Sequence, residues 1–248
     1  MSTFRVAVII NTDDPEPLRM MRESYVSIFE QLAPTSNLDF YNGVLDTDLS
    51  SILDGDYDLL VIGGGTYIVP HDTPWMVRLR DFEIKLYSEH PRQKVVGICL
   101  GHQTSALNLG GDMGFLPEGP QLAVSTIKLT DTGKTFFGKS STLDIHKFHQ
   151  RAVNAVQPGF KPLAESNEIL MSDNGNVVTF QGHPEMTGEM MKYLLLDKTS
   201  VASGYVKREI QEDQDSAETK ALLEKADLSH DGLDMWRSII HWARPEPE

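Results

Sequence analysis

The sequence has little of three things. It holds one cysteine in 248 residues, Cys99. A lone thiol closes no internal disulfide and builds no multi-thiolate zinc site. Basic residues are also scarce: 22 Lys and Arg stand against 36 Asp and Glu, a formal net charge of −14. Nucleic-acid binding needs a basic footprint, as does attraction to an anionic membrane, so neither partner is expected. Long apolar runs are missing too. The run 6–10 (VAVII) is too short for a signal segment and is followed by Asp13, Asp14 and Glu16. No stretch approaches the roughly 18 apolar residues of a spanning helix, and a reducing, cytoplasmic setting is expected. What is present, 40 % hydrophobic residues with 19 Gly and 13 Pro, is the composition of a globular chain.

The first hundred residues alternate two patterns. FRVAVII (4–10), DLLVIGG (58–64) and KVVGICL (94–100) are short, nearly continuous apolar runs, as in strands buried on both faces of a parallel sheet. Between them the spacing is helical. Residues 16–32 align Leu18, Met21, Tyr25, Ile28 and Phe29, and residues 74–89 align Trp75, Val77, Leu79, Phe82 and Leu86. Residues 37–44 read as a further strand. This alternation predicts an α/β fold, a three-layer open and mostly parallel sheet with helices on both faces. From about residue 110 strand signals and Gly/Pro turns take over, with Val124, Thr126 and Ile127 in one strand. Asp173-Asn174-Gly175-Asn176 then marks a hairpin turn. After Pro184 the chain reads as helical, with breaks near Gly204 and Asp231-Gly232. Segment 207–248 carries six basic and eleven acidic residues, yet Leu233, Trp236, Ile239 and Ile240 form an apolar stripe. A single domain over 1–248 is expected, with 200–248 a helical extension packed on it.

The sharpest local signal is Gly97-Ile98-Cys99-Leu100-Gly101, at the junction of a buried strand and a helix-like segment over 102–109. Glycine, nucleophile and glycine at this spacing make a nucleophile elbow. The tight turn strains the nucleophile, and only glycine fits beside it. Such a turn lifts the sulfur above the carboxyl edge of the sheet, at a helix N-terminus that favours the thiolate. The competing reading of Cys99 is a small buried hydrophobe. A thiol nucleophile needs a base. His183 in Phe180-Gln181-Gly182-His183-Pro184-Glu185 follows an apolar run, and Glu185 can hold its ring in the useful tautomer. Acyl transfer also needs donors for an oxyanion. Ile62-Gly63-Gly64-Gly65-Thr66 ends at the same sheet edge and offers one backbone N–H, with Leu100 offering the second. As a phosphate loop it lacks the Walker lysine and the G-x-G-x-x-G spacing, so no cofactor is expected. His102, His146 and His149 are further polar candidates. HKFH (146–149) is a weak metal signal, and solvated or capping histidines match it better, so no metal is expected.

GICLGHQ (97–103) together with HPE (183–185) resembles the class I glutamine amidotransferases over about residues 5–190. It most resembles their standalone branch, which includes plant γ-glutamyl peptidases and fungal amidotransferase-like proteins. The acidic extension with tryptophan in its last helix is similar to that of the fungal members. The resemblance implies the family's flavodoxin-like fold. It implies Cys99 as nucleophile forming a γ-glutamyl thioester, His183 as base and then acid, Glu185 as its orienter, and Gly65 and Leu100 as oxyanion donors. It further implies that Gln103 binds the glutamyl head and that His149, Gln150 and Arg151 line the substrate pocket. Two departures stand out. The aromatic residue common before HPE is Gly182 here, and the stretch at His149 lacks the family's frequent H-G-D or H-x-D.

Two activities share the first half-reaction. An amidotransferase passes ammonia to a synthetase site, for which this chain would need a partner in trans. A γ-glutamyl hydrolase or peptidase acting on glutamine or a γ-glutamyl peptide, such as a glutathione conjugate, needs none. Gly182 and the lack of room for a synthetase domain favour the hydrolase. A catalytically silent regulatory protein has no need to keep Cys99, His183 and Glu185 together, and no cofactor loop supports a flavodoxin-like binding protein.

Overall fold

The computed structural model describes residues 3–46, 48–65 and 72–244. Its first part alternates strands and helices: β1 (Arg5–Asn11), α1 (Pro15–Leu32), β2 (Asn37–Asn42), α2 (Ser50–Leu53), β3 (Leu59–Gly65), α3 (Pro74–Glu89), β4 (Lys94–Ile98) and α4 (Leu100–Asn108). The middle is strand-rich: β5 (Asp112–Phe115), β6 (Gln121–Lys128), α5 (Asp131–Phe137), β7 (Thr142–His149), β8 (Arg151–Ala155), β9 (Phe160–Pro162), β10 (Ile169–Ser172) and β11 (Val177–Phe180). Helices close the chain: α6 (Gly188–Leu196), α7 (Lys198–Ala202), α8 (Arg208–Glu212), α9 (Ala217–Ala226) and α10 (Gly232–Ala243).

The main sheet has seven strands in the order β2-β1-β3-β4-β11-β10-β9. The first five run parallel, and β10 is antiparallel to both its neighbours. Why the sheet is covered on both faces is written in its strands. Val6, Val8 and Ile10 of β1 join one apolar cluster, while Ala7 and Ile9 join another. In β3, Leu59 and Val61 part from Leu60 and Ile62 in the same way. Successive strand side chains point to opposite faces, so a continuous apolar run serves two cores. Helix α1 and the helices of the C-terminal extension cover the first face, and α3 covers the second.

The predicted helix over 16–32 is α1. Its Met21, Tyr25, Ile28 and Phe29 are buried, and Asp14 caps its N-terminus by accepting the Glu16 N–H. The predicted helix over 74–89 is α3. The third apolar run, 94–100, is cut short: the strand ends at Ile98 and α4 starts at Leu100, two residues before the expected helix. The predicted hairpin is β10–β11, with Gly175 at φ +70° in its turn. The region after Pro184 is more broken than its composition suggests. Among the described residues it forms five helices, and side chains satisfy the N-termini of some of them, with Asp197 capping α7 and Ser216 capping α9. Trp236 of α10 is fully buried against the rings of Tyr25 and Phe29, which ties the extension into the core beside α1.

Candidate active site

The elbow is present, and its strain is visible. Cys99 sits at φ 48°, ψ −92°, a left-handed backbone that costs a non-glycine residue on the order of 1–3 kcal/mol. The conformation is held from both sides. The Cys99 N–H donates to the Phe180 carbonyl at 2.7 Å, which continues the β4–β11 pairing, and the Cys99 carbonyl accepts the Gln103 N–H at 3.0 Å inside α4. Gly101 is required by contact: a Cβ there would lie 2.3 Å from the Ile62 carbonyl oxygen. A Cβ on Gly97 would lie 2.9 Å from the Gly101 carbonyl oxygen. Helix and strand therefore cross at a distance that only glycine permits.

His183 stands where β11 has just ended, and β11 lies beside β4 in the sheet. Its backbone N–H donates to the His146 carbonyl at 2.8 Å, an isolated bridge between the His183 segment and β7. This bridge explains Gly182. A Cβ there would meet Ile145 Cδ1 at 2.8 Å and the His146 carbonyl oxygen at 2.9 Å. The His183 ring donates from Nδ1 to Glu185 Oε1 at 2.8 Å and interacts electrostatically with Cys99. Cys99, His183 and Glu185 are 7 %, 3 % and 2 % exposed. Burial opposes a charged imidazole, but the Glu185 carboxylate and Cys99 outweigh it and push His183 up to about 10. Glu185 is braced in turn, because the Ser24 hydroxyl of α1 donates to its backbone carbonyl.

Gly65 ends β3 beside α4. A Cβ there would lie 2.4 Å from the Asn11 carbonyl oxygen and 3.2 Å from Leu100 Cδ1. The two expected oxyanion positions, Gly65 and Leu100, are thus brought together at the sheet edge. Thr66, the last residue of that predicted glycine loop, lies outside the described residues. The expected substrate-binding residues have other partners. Gln103 Nε2 donates to the Arg151 carbonyl at 3.5 Å and to Gln181 Oε1 at 3.2 Å. His149 Nδ1 donates to the Arg151 carbonyl at 2.8 Å. Gln150 Nε2 donates to the Ser203 carbonyl at 3.3 Å, and the Arg151 guanidinium lies 4.2 Å from the centre of the Phe115 ring.

Of the reading of HKFH as solvated or capping histidines, the solvated part is not what the structure shows, while His146 does cap a helix, its ring bonding the carbonyl of Ala226 at the end of α9. His146 and His149 are buried at 0 % and 1 %, and each ring bonds a backbone carbonyl, of Ala226 and Arg151 respectively. Burial lowers both, His149 to about 3, so they are neutral. His102 is likewise lowered to about 3 by burial and bonds Thr179 Oγ1 at 2.8 Å. The second half of β7, buried from Ile145 to His149, removes these side chains from water, which a local four-residue motif does not reveal. No group of three or more His, Cys, Asp or Glu able to hold a metal occurs among the described residues.

Three participants escaped the sequence. Gln181 directs its Nε2 at Cys99 Sγ, 3.8 Å away. Gly64 lies against the His183 ring. Tyr205, from the extension, stacks on Phe148 with ring centres 4.9 Å apart. That pair forms part of a cavity of about 370 Å³, lined also by His183, Gly65, Met21, Met186 and Leu194. Gln181 was within view, two residues before His183. Tyr205 carried no signal, because its position depends on how the extension folds back.

The glutamine amidotransferase class-I family matches residues 26–201 of the chain. The chain is 31 % identical over 247 residues to the glutamine amidotransferase-like protein chyE of Penicillium rubens, covering 98 % of both chains. It is 33 % identical over 192 residues to γ-glutamyl peptidase 4 of Arabidopsis thaliana, covering 74 % of this chain and 71 % of that one. In fold it is similar to the crystal structure of a glutamine amidotransferase from Thermotoga maritima, with a TM-score of 0.69, 20 % identity, and 99 % and 100 % of the two chains covered. By the extent of the family match and the full-length likeness to a relative of that kind, the chain belongs to the class I glutamine amidotransferases.

Proposed function

We propose that the chain hydrolyses a γ-glutamyl amide bond through a γ-glutamyl thioester on Cys99, within one domain whose extension (200–248) supplies a wall of the site. The Cys99 sulfur attacks the γ-carbonyl carbon, and the carbonyl electron pair moves to oxygen, where the N–H groups of Gly65 and Leu100 receive it. The protonated His183 gives its proton to the departing amine as the C–N bond breaks. It then takes a proton from water as that water attacks the thioester, and glutamate leaves with the sulfur restored as thiolate. Glu185 keeps the ring oriented through both steps and favours its charged form before the first transfer and after the second.

One observation favours hydrolysis of a substituted γ-glutamyl amide over delivery of ammonia from glutamine alone. The cavity of about 370 Å³ beside His183 lies in the range of roughly 300–1,000 Å³ that holds drug-sized ligands, and Met21, Met186, Leu194, Phe148 and Tyr205 make much of its lining apolar. A leaving group larger than ammonia has room there. The likeness to an Arabidopsis protein named as a γ-glutamyl peptidase supports the same reading. The test incubates the purified protein with glutamine, glutathione and a glutathione adduct, and measures free glutamate. Release from the peptide-like substrates without a second protein is expected. Turnover of glutamine alone, and only with a synthetase added, would replace this reading by the ammonia-delivering one. A glutamine-analogue electrophile that fails to label Cys99 would replace both by a silent regulatory role.

A further inference from the structure

Two buried amides lead from a backbone carbonyl to the reactive sulfur. The Arg151 carbonyl can only accept hydrogen bonds. It receives the His149 Nδ1 proton at 2.8 Å and an N–H of Gln103 at 3.5 Å. The second bond fixes which end of the Gln103 amide faces Arg151, since the reverse would set oxygen against oxygen. The same Gln103 nitrogen lies 3.2 Å from Gln181 Oε1. Turning Gln181 over would set nitrogen against nitrogen, so its oxygen faces Gln103 and its own N–H faces Cys99 Sγ at 3.8 Å. The whole path is out of water: Gln103, Gln181 and Cys99 are all buried. Gln181 is placed by the sheet, because the parallel register pairs Phe180 with Ile98 and brings the next residue level with Cys99. Its backbone N–H donates to the Glu168 carbonyl at 2.8 Å, which anchors it against the strand on the other side.

We infer that Gln181 is a further catalytic residue, an N–H donor that holds the Cys99 sulfur as thiolate, and that Gln103 is a positioning residue that keeps the Gln181 amide turned the right way. The inference rests on Cys99 being the nucleophile. A hydrogen bond to an ionised acceptor is about twice as strong as a neutral one, and it strengthens further where water is excluded. Gln181 acts on the sulfur at two points of the cycle. It stabilises the thiolate before attack, and it stabilises the thiolate again when sulfur leaves the second tetrahedral adduct. It does so from a different direction than His183, so the imidazolium proton stays available for the departing amine. In this arrangement the nitrogen of Gln103 serves the nucleophile.

The test reads the sulfur directly. Cys99 is the sole cysteine, so the pH profile of its alkylation by iodoacetamide reports on it alone. The titratable groups facing it are His183, with Glu185 behind, and Tyr205, and none of these is altered. Gln181→Leu should move the profile to higher pH by about one pH unit, roughly tenfold slower alkylation on the acid side. The isosteric Gln181→Glu, which brings a second negative charge to the sulfur, should move it further. Gln103→Leu should move it in the same direction by less, because the Gln181 amide is then free to turn over. Profiles like the parent's in folded Gln181→Leu and Gln181→Glu would overturn the inference. A parental profile in Gln103→Leu, with only KM for the γ-glutamyl substrate raised, would overturn the positioning role. Alkylation needs no γ-glutamyl compound, so failure of the proposed hydrolysis leaves this result standing, and the converse also holds.

Discussion

Gly64→Ala tests the catalytic geometry where β3 meets the His183 ring. Gly64 lies on β3 with φ outside the left-handed region, so alanine meets no backbone objection. The objection is the His183 ring. The new methyl would sit 2.8 Å from His183 Cε1 and 3.6 Å from Cys99 Cβ. Carbon atoms rest at about 3.5–4.0 Å, so the ring must retreat by roughly 0.7 Å or more. It cannot do so freely, because Nδ1 is bound to Glu185 and the backbone N–H to the His146 carbonyl. A displacement near 1 Å at a reacting group costs about 10²-fold in rate. The strain in the fold is smaller, about 1–3 kcal/mol for a methyl added to a packed interior, and the chain should remain folded. The assay is kcat for glutamate release from the substrate identified in the screen, with a thermal melt alongside. A folded Gly64→Ala variant with kcat within about threefold of the parent would refute the placement of His183 against β3.

Four further outcomes are expected. Loss of the His183 proton near pH 10 should set an alkaline limb on kcat/KM, and Glu185→Gln should shift that limb to lower pH; an unmoved limb would assign it to another group. The same raised value stabilises the fold fully below 6.5 and is lost as pH rises through about 10, so the parent should lose more stability than Glu185→Gln across that window. Cys99→Ala and Cys99→Gly should both be inactive and folded, with the glycine variant the more stable by about 1 kcal/mol in chemical denaturation, since only glycine accepts φ 48° without strain. Glu83 is pushed up to about 8 by burial, which outweighs its bonds from Thr104 and Asn108. The folded chain then holds a proton that the unfolded chain releases above 4.5, so Glu83→Gln should raise the melting temperature more above pH 8 than below 4.5.

The elbow was legible because everything it needs is local. Two glycines, a cysteine and a change from strand to helix spacing lie within a few residues. His183 and Glu185 were legible for the same reason, since one residue orients another two positions away. The α/β class followed from apolar runs that serve two cores. What was not legible depends on distant approach. Nothing near Tyr205 says that the segment after α7 will fold back over Phe148. Nothing in HKFH says that β7 is covered on both faces. Gln103 was assigned to the substrate by family pattern, and only the position of Arg151, on a strand far along the chain, shows what its nitrogen bonds.

The pairing of β4 with β11 also sets the order in which chemistry appears. Cys99 emerges from synthesis well ahead of His183, and the strands that carry them meet only after the intervening strand-rich segment has been made. Contacts so distant in sequence form late, once loop closure has been overcome. Until then the thiol has neither its imidazolium nor its amide donor, and the left-handed turn has no Phe180 carbonyl to hold it. A half-made chain therefore carries an ordinary cysteine. On the proposed mechanism, reactivity arrives with the completed sheet, so the Cys99 thiol is not exposed in reactive form while the chain is still folding.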